Sequence, residues 1–307
     1  MNVIFGLENL KNAKPAATTV GTFDGVHLGH VKIINSLKEL SQKNNLKSTL
    51  ITFDPHPRVV LQQTPPFKTK LLTRIDERLE LLQNQGLDQV IIAKFSRQFS
   101  ELDYKDFIKN ILLEKVNTKV LVVGYDHGFG KDRSGNFDEM SKISREFNFD
   151  VVRETAITIN EQTVSSSKIR ELIDNGNVKD AALMLGRKYT VNGVVIKGEG
   201  RGKKLNFPTA NLQITNDYKL FPKEGVYAVD CIIHDKIYRG MSNIGIKPTF
   251  GGEQKTIEIN ILDFDDDIYG EKIEVRFIQR MRDEKKFKNV KELIKQLTID
   301  RNQCIKI

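Results

Sequence analysis

The sequence predicts an α/β chain in two parts: a doubly wound parallel sheet over residues 1–185, then a small antiparallel, Greek-key-like β-barrel with a C-terminal helix over residues 186–307. Three observations predict it. Up to residue 185, apolar β-like runs alternate with helix-period segments, and parallel strands need such helical crossovers. Beyond Gly186, strand-like runs follow one another through turns rich in Gly, Asp and Pro. A chain of 307 residues is also long enough for two cores.

In the first part the strand runs are Ala16–Val20, Ser48–Phe53, Gln89–Ala93, Lys119–Val123 and Phe149–Val152, with helices near 31–43, 74–85, 104–116 and 137–147. The second of these helices has Thr73 as its N-cap candidate, Leu79 and Leu82 as an apolar face, and Gly86 as its stop. Phe99, Phe107, Ile108, Ile111 and Leu112 read as a core stripe, and residues 62–70, with Pro65 and Pro66, as a flexible flap. A short helix, Val178–Leu185, ends at Gly186. The later runs are Tyr189–Ile196, Gly225–Ile233, Ile237–Asn243, Thr256–Leu262 and Ile273–Arg280. A final helix near 289–297 is expected to turn Val290, Leu293, Ile294 and Leu297 inward.

Composition narrows the class. With 39% hydrophobic and 29% charged residues and no apolar run of membrane-spanning length, the chain reads as globular, with no membrane partner and a cytoplasmic location. Cys231 and Cys304 have no metal-ligand spacing and read as reduced structural thiols. The net charge of +8 divides as +2 over residues 1–185 (25 basic, 23 acidic) and +6 over 186–307 (23 basic, 17 acidic). Lys285, Lys286, Lys288, Lys291 and Lys295 supply much of that excess as a solvated helix face, and such a balance also steers anionic nucleotides. No interleaved aromatic and basic motif of the RNA-binding type accompanies it, so nucleic acid is not the expected partner.

In open parallel sheets ligands bind beyond the carboxyl ends of the strands, and the chemistry-bearing motifs fall there. After Ala16–Val20 comes Gly21-Thr22-Phe23-Asp24-Gly25-Val26-His27-Leu28-Gly29-His30, leading into Ile33, Ile34, Leu37 and Leu40 at helical spacing. A helix starting at the histidines presents free N–H groups and a positive dipole end to phosphate. After the second run, Asp54-Pro55-His56-Pro57 forms a stiff loop whose Asp54 can bond a ligand or cap a turn. Gly124-Tyr125-Asp126-His127-Gly128-Phe129-Gly130, continuing to Gly135, suits a loop around a planar ligand. Ser165, Ser166 and Ser167, with Arg170, read as a helix N-cap and a second phosphate cradle.

The second part carries a glycine-rich loop with basic residues, Gly198, Arg201, Gly202, Lys203 and Lys204, followed by Asn206-Phe207-Pro208-Thr209-Ala210-Asn211. Further on come Gly225-Val226-Tyr227, Asn243-Ile244-Gly245 with Pro248-Thr249-Phe250, and the alternating Ile257-Glu258-Ile259-Asn260-Ile261. Glu258 and Asn260 share a strand face.

The opening string resembles the G-x-F-D-G-x-H-x-G-H signature of the HIGH-type nucleotidyltransferases, whose catalytic domain is Rossmann-like. Together the motifs resemble the bacterial bifunctional riboflavin kinase/FMN adenylyltransferase family over nearly the whole chain. That resemblance implies phosphorylation of riboflavin by ATP to FMN in 186–307 and adenylylation of FMN by ATP to FAD in 1–185, with Mg²⁺ and with ATP as co-substrate. It places Gly21, Thr22, Phe23, Asp24, Gly25, His27, Gly29, His30, Ser165, Ser166, Ser167 and Arg170 on ATP and its phosphates. Asp54, Asp126, Phe129 and Arg282 are placed by the flavin, Gly198, Arg201, Gly202 and Lys203 on the kinase's nucleotide, Thr209 and Asn211 on the metal, and Glu258 as the base. His127 stands for a usual phenylalanine, Lys203 for an arginine, Asn206 for a glycine and Asn260 for a common histidine. The changes at 206 and 260 leave open an FMN adenylyltransferase with a weakened or inactive kinase. The expected state is a monomer or weak homo-oligomer.

Overall fold

The structure is a computed structural model that describes residues 1–62, 70–125, 137–198, 200, 202, 205–214, 218–249 and 252–307. Contacts divide the chain into two compact units, Met1–Ser166 and Ser167–Ile307.

In the first unit, strands β1 (Asn2–Phe5), β2 (Ala16–Val20), β3 (Lys47–Asp54), β4 (Gln89–Lys94), β5 (Thr118–Val123) and β6 (Asp150–Arg153) form one parallel sheet in the order β1-β4-β3-β2-β5-β6. Connecting helices are α1 (Leu28–Lys43), α2 (Ile75–Gln83), α3 (Phe107–Lys115, wound with i→i+5 bonds as far as Val116 N–H to Ile111 C=O) and α4 (Phe137–Phe147). Strand residues alternate between two cores, as sheet geometry requires. Leu50, Val90, Ile92 and Val122 pack with Ile34, Leu37 and Leu82, whereas Ile51, Ile91, Leu121 and Val123 pack with Phe107, Ile108, Met140 and Ile143. A sheet buried on both faces by helices is the doubly wound arrangement that the alternation predicts. The sequence reading lacks β1, an edge strand of four residues, and the two-residue hairpin partners β7 (Thr158–Ile159) and β8 (Gln162–Thr163).

In the second unit, β9 (Tyr189–Ile196), β10 (Ala210–Gln213), β11 (Gly225–Ile233), β12 (Lys236–Thr249), β13 (Gly252–Ile261) and β14 (Lys272–Arg282) close an antiparallel barrel in the order β10-β13-β12-β11-β14-β9. Helices α5 (Ser166–Asp174) and α6 (Val178–Leu185) precede it; α6 packs on β14 and β9 and ends at Gly186 with φ 72°. The compact unit therefore begins near Ser167. The change of pattern at Gly186 marks the first strand of the barrel, and the helices before it bury their apolar faces with the unit that follows.

The last helix, α7 (Val290–Lys306), is longer than predicted and turned differently. Asp300 and Cys304 are buried, while Val290 is 55% and Ile294 37% exposed. The reason is polar: Gln296 and Arg282 bond Asp300, and the Cys304 thiol donates to the Gly240 carbonyl at 3.2 Å, so these contacts orient the helix over its apolar stripe. Cys231 is also buried and reduced, and burial pushes its thiol up to about 12, so both cysteines stay protonated. Among the described residues no helix is long and apolar enough to cross a membrane.

Candidate functional site

In the first unit the turn after β2 delivers its histidines to a helix start as expected. His27 is the N-cap of α1, and its Nδ1 accepts the His30 backbone N–H at 3.3 Å. A ring nitrogen that accepts carries no proton, which leaves Nε2 of a neutral His27 as the donor. The two imidazoles stack with centroids 3.6 Å apart and planes 15° from parallel, and Phe23 lies 4.9 Å from His30.

This turn is bent further than an ordinary loop: Phe23 (φ 46°), Val26 (φ 39°) and Gly25 (φ 88°) all lie in the left-handed region. For a β-branched valine that costs on the order of 1–3 kcal/mol and must be offset nearby. Asp24 does so. Its carboxylate, fully buried, accepts Leu72 N–H (3.0 Å), Thr73 N–H (2.8 Å) and the Thr73 hydroxyl (3.0 Å), while Gly25 N–H donates to Thr73 Oγ1 (2.9 Å). Asp24 thus braces the turn from within. Thr73 is spent on the same clamp; the backbone N–H of Arg74 instead donates to Glu77 in opening α2.

The strand ends are tied together beneath the turn. Thr52 Oγ1 donates to the Thr22 carbonyl (3.0 Å), and the Arg78 Nη1 donates to Thr52 Oγ1 (3.0 Å) and the Phe53 carbonyl (3.3 Å). Arg78 is 1% exposed; burial lowers its affinity for its proton, and Asp24 and Asp54 counter that. Helix α2 thereby supports the site, a part that its apolar spacing alone does not announce. Its signal was present: Ile75, Arg78, Leu79 and Leu82 share one helical face, so an arginine stands in the inward stripe. Asp54 stands at the exposed end of β3, after which the chain makes a cis bond to Pro55; the protein around its carboxyl keeps off part of the water and raises it above the usual range despite Arg78.

The serine cradle reaches this turn. Ser166 Oγ donates to the Asp24 carbonyl at 2.9 Å, and a Cβ on Gly29 would come within 3.7 Å of the Val164 carbonyl. Gly21, Thr22, Gly29 and Ser165 therefore line or flank one loop cluster at the carboxyl ends of β2 and β3. Ser167 and Arg170 follow on α5, in the second unit. Asp126, His127 and Phe129 lie outside the described residues, as does most of the 62–70 flap.

In the barrel, three predicted residues converge. Asn211 on β10 is the direct cross-strand partner of Glu258 on β13, and Asn243 on β12 is its partner on the other side. Paired residues of antiparallel strands share a face, so the carboxylate stands between two carboxamides. Ile257 and Ile259 point into the core, which puts Glu258 and Asn260 on the outer face. Thr209 immediately precedes β10. An added Cβ at Gly202 would lie 2.3 Å from the Phe207 carbonyl, backbone that cannot yield, whereas at Gly198 it would lie 2.0 Å from Asn211 Nδ2, the end of a side chain that can swing away. Gly198→Ala is therefore expected to push the Asn211 carboxamide aside, with the unfolding midpoint unchanged within about 2 °C; circular dichroism melts and the side-chain amide signals of Asn211 check it. Arg201, Lys203 and Lys204 lie outside the described residues. Asn206 has φ 59°, the left-handed conformation in which glycine is usual and asparagine is tolerated.

Arg282, expected beside the flavin, has its guanidinium bound within the protein. Its Nε and Nη2 grip the buried Asp300 carboxylate (3.0 and 2.6 Å), and its Nη1 donates to the Asp283 carbonyl (2.9 Å). Nε and Nη2 hold α7 to the barrel, while Nη1 ties down the chain just beyond β14. Asp300→Ala leaves that guanidinium uncompensated and is expected to cost about 3 kcal/mol, the low end for a broken buried pair because Arg282 keeps some water contact; denaturant melts measure it. Next to it, Asn243 Nδ2 donates to Glu284 at 2.9 Å, a contact the sequence reading did not foresee.

A parallel sheet with a phosphate-type turn and stacked histidines at its strand ends, joined to a barrel with a carboxylate between carboxamides, defines a class: a two-site, nucleotide-using transferase. Comparison with known proteins makes it specific. Residues 9–168 match the model of the FAD synthetase family and residues 185–307 that of riboflavin kinase. Proteins described as bifunctional riboflavin kinase/FMN adenylyltransferase are 38% identical in Listeria monocytogenes (92% of this chain, 88% of that one), 35% in Bacillus subtilis (94% and 90%) and 33% in Escherichia coli K12 (98% and 96%). A crystal structure of a Streptococcus pneumoniae chain described as a macrolide-efflux protein shares the fold with a TM-score of 0.90, at 31% identity over 98% of both chains. The chain belongs to the bifunctional riboflavin kinase/FMN adenylyltransferase family and carries both of its transferase domains.

Proposed function

We propose that the two reactions run at the two clusters just described: riboflavin and ATP give FMN and ADP at the outer face of the barrel around Glu258, and FMN and ATP give FAD and pyrophosphate at the turn holding His27 and His30. We assign the second reaction to residues 1–185, including Ser167 and Arg170 of α5, and the first to 186–307. The observation that supports the kinase assignment above others is the pairing of Asn211 with Glu258 in adjacent strands.

The chemistry differs at the two sites. Riboflavin's 5′-hydroxyl is neutral, so its attack on the γ-phosphorus needs a base, and Glu258 takes that proton. The FMN phosphate is already an anion. Its attack on the α-phosphorus needs in-line positioning and charge stabilisation, supplied by the N–H groups of the α1 start, His27, His30 and Arg170. Asp24, Thr52 and Arg78 act behind them by holding the turn. Thr209 and Asn211 suit Mg²⁺: a hydroxyl and an amide carbonyl are hard oxygen donors, and Gly198 leaves the space that the Asn211 carboxamide fills. When bound there, the cation would neutralise charge on the phosphates. Cytoplasmic location fits the demand for ATP, and a monomer or weak homo-oligomer without nucleic acid fits sites each contained in one chain. Both departures that raised a weakened kinase have a structural use, Asn206 at φ 59° and Asn260 in a hydrogen bond to Pro208. Incubation with riboflavin, ATP and Mg²⁺ should give FMN and then FAD; FAD formed from FMN, but no FMN from riboflavin, would overturn the bifunctional reading.

A further inference from the structure

We propose that Asn260 is a positioning residue for phosphoryl transfer, latching the Phe207–Thr209 segment to the strand that carries Glu258. The inference rests on the barrel site proposed above. Asn260 follows Glu258 by two residues on β13 and shares its outer face, yet it is only 9% exposed because the loop before β10 lies over it. Its Nδ2 donates to the Pro208 carbonyl at 2.7 Å. A carbonyl can only accept, so the N–H₂ end of the amide must face it.

The choice of anchor point matters. Proline has no N–H, so the carbonyl is the one backbone group by which residue 208 can be held. Upstream, Leu205 N–H and Phe207 N–H donate to the Gly202 carbonyl (2.9 and 3.0 Å), and Asn206 turns the chain at φ 59°. Downstream, Thr209 leads into β10, where Asn211 is already in register with Glu258. The latch sits between these two fixed ends. It sets the Thr209 hydroxyl against the same strand as the Glu258 carboxylate, so the phosphate-side donors and the base are located from one ruler. A misplacement of about 1 Å in such a set is enough to cost about a hundredfold in rate.

Three substitutions separate positioning from bulk stability. Asn260→Asp keeps the shape but turns an oxygen toward the carbonyl; Asn260→Leu removes the donor at similar volume; Asn260→His restores an N–H. Five readouts are compared: steady-state riboflavin phosphorylation, FMN adenylylation, Mg·ADP binding by calorimetry, amide exchange over residues 205–212, and the thermal midpoint. For Asp and Leu, kcat/KM and Mg·ADP affinity should each fall about tenfold, the effect of one lost buried hydrogen bond. Exchange should quicken in that segment, and the midpoint should fall by no more than about 5 °C, the shift that roughly 1 kcal/mol gives in a domain of this size. FMN adenylylation should not change, and the histidine variant should recover most of the loss. Wild-type affinity and exchange in Asn260→Asp would overturn the latch. So would losses that follow the midpoint and are not rescued by histidine. Glu258→Ala run in parallel tells the two ideas apart: an active Glu258→Ala removes the site reading and the latch with it, whereas an inactive one beside a normal Asn260→Asp removes the latch alone.

Discussion

Glu258→Ala is expected to lower FMN formation from riboflavin by about 10²–10⁴-fold, the contribution of a positioned general base, while FAD formation from supplied FMN continues at the wild-type rate. The asymmetry follows from the acceptors. The riboflavin hydroxyl must shed a proton as it attacks, and in the proposed assignment Glu258, on the barrel's outer face between Asn211 and Asn243, receives it. Removing the carboxylate leaves both amides and the barrel core in place, since Ile257 and Ile259 fill the interior from the other face. Chromatography of the flavins, started once from riboflavin and once from FMN, reads both reactions. Loss of both in a folded protein would contradict separate sites.

His30→Ala should do the reverse, lowering FAD formation from FMN by about 10²–10³-fold, as removal of one charge-stabilising donor does elsewhere, and sparing riboflavin phosphorylation. The substitution is clean in one respect. The bond that caps α1 uses the backbone N–H of residue 30, donated to His27 Nδ1, and an alanine keeps it. What is lost is the ring stacked at 3.6 Å on His27 and packed near Phe23. An unchanged FAD rate would remove His30 from the phosphate site. Helix content and thermal midpoint of the variant show whether the cap has survived.

Much of the architecture was legible in the sequence because it rests on local periods. Five strands of the parallel sheet and their helices lie within a few residues of where apolar spacing puts them, and α1 begins at the histidines because a turn and a helix stripe meet there. What escaped is short or edge-lying: β1 is four residues at the sheet margin and β10 four residues after a glycine-rich loop, too brief for an alternation to register. The candidate site divides the same way. Gly198, Thr209, Asn211 and Glu258 were legible as motif members, and strand register brings Asn211 and Glu258 side by side.

By itself, then, the sequence determined the period of each element, the turns that end them and the kinds of side chain offered at the strand ends. Which of those polar groups are consumed inside the protein was set by tertiary packing alone. Asp24 is met by Thr73, Arg78 by Thr52, Arg282 by Asp300 and Asn260 by Pro208, partners far apart in the chain that burial brings together. A buried polar group must find such a partner or pay several kcal/mol, on the order of 2–7, for its desolvation, and that requirement is set by the packed fold and by no local pattern.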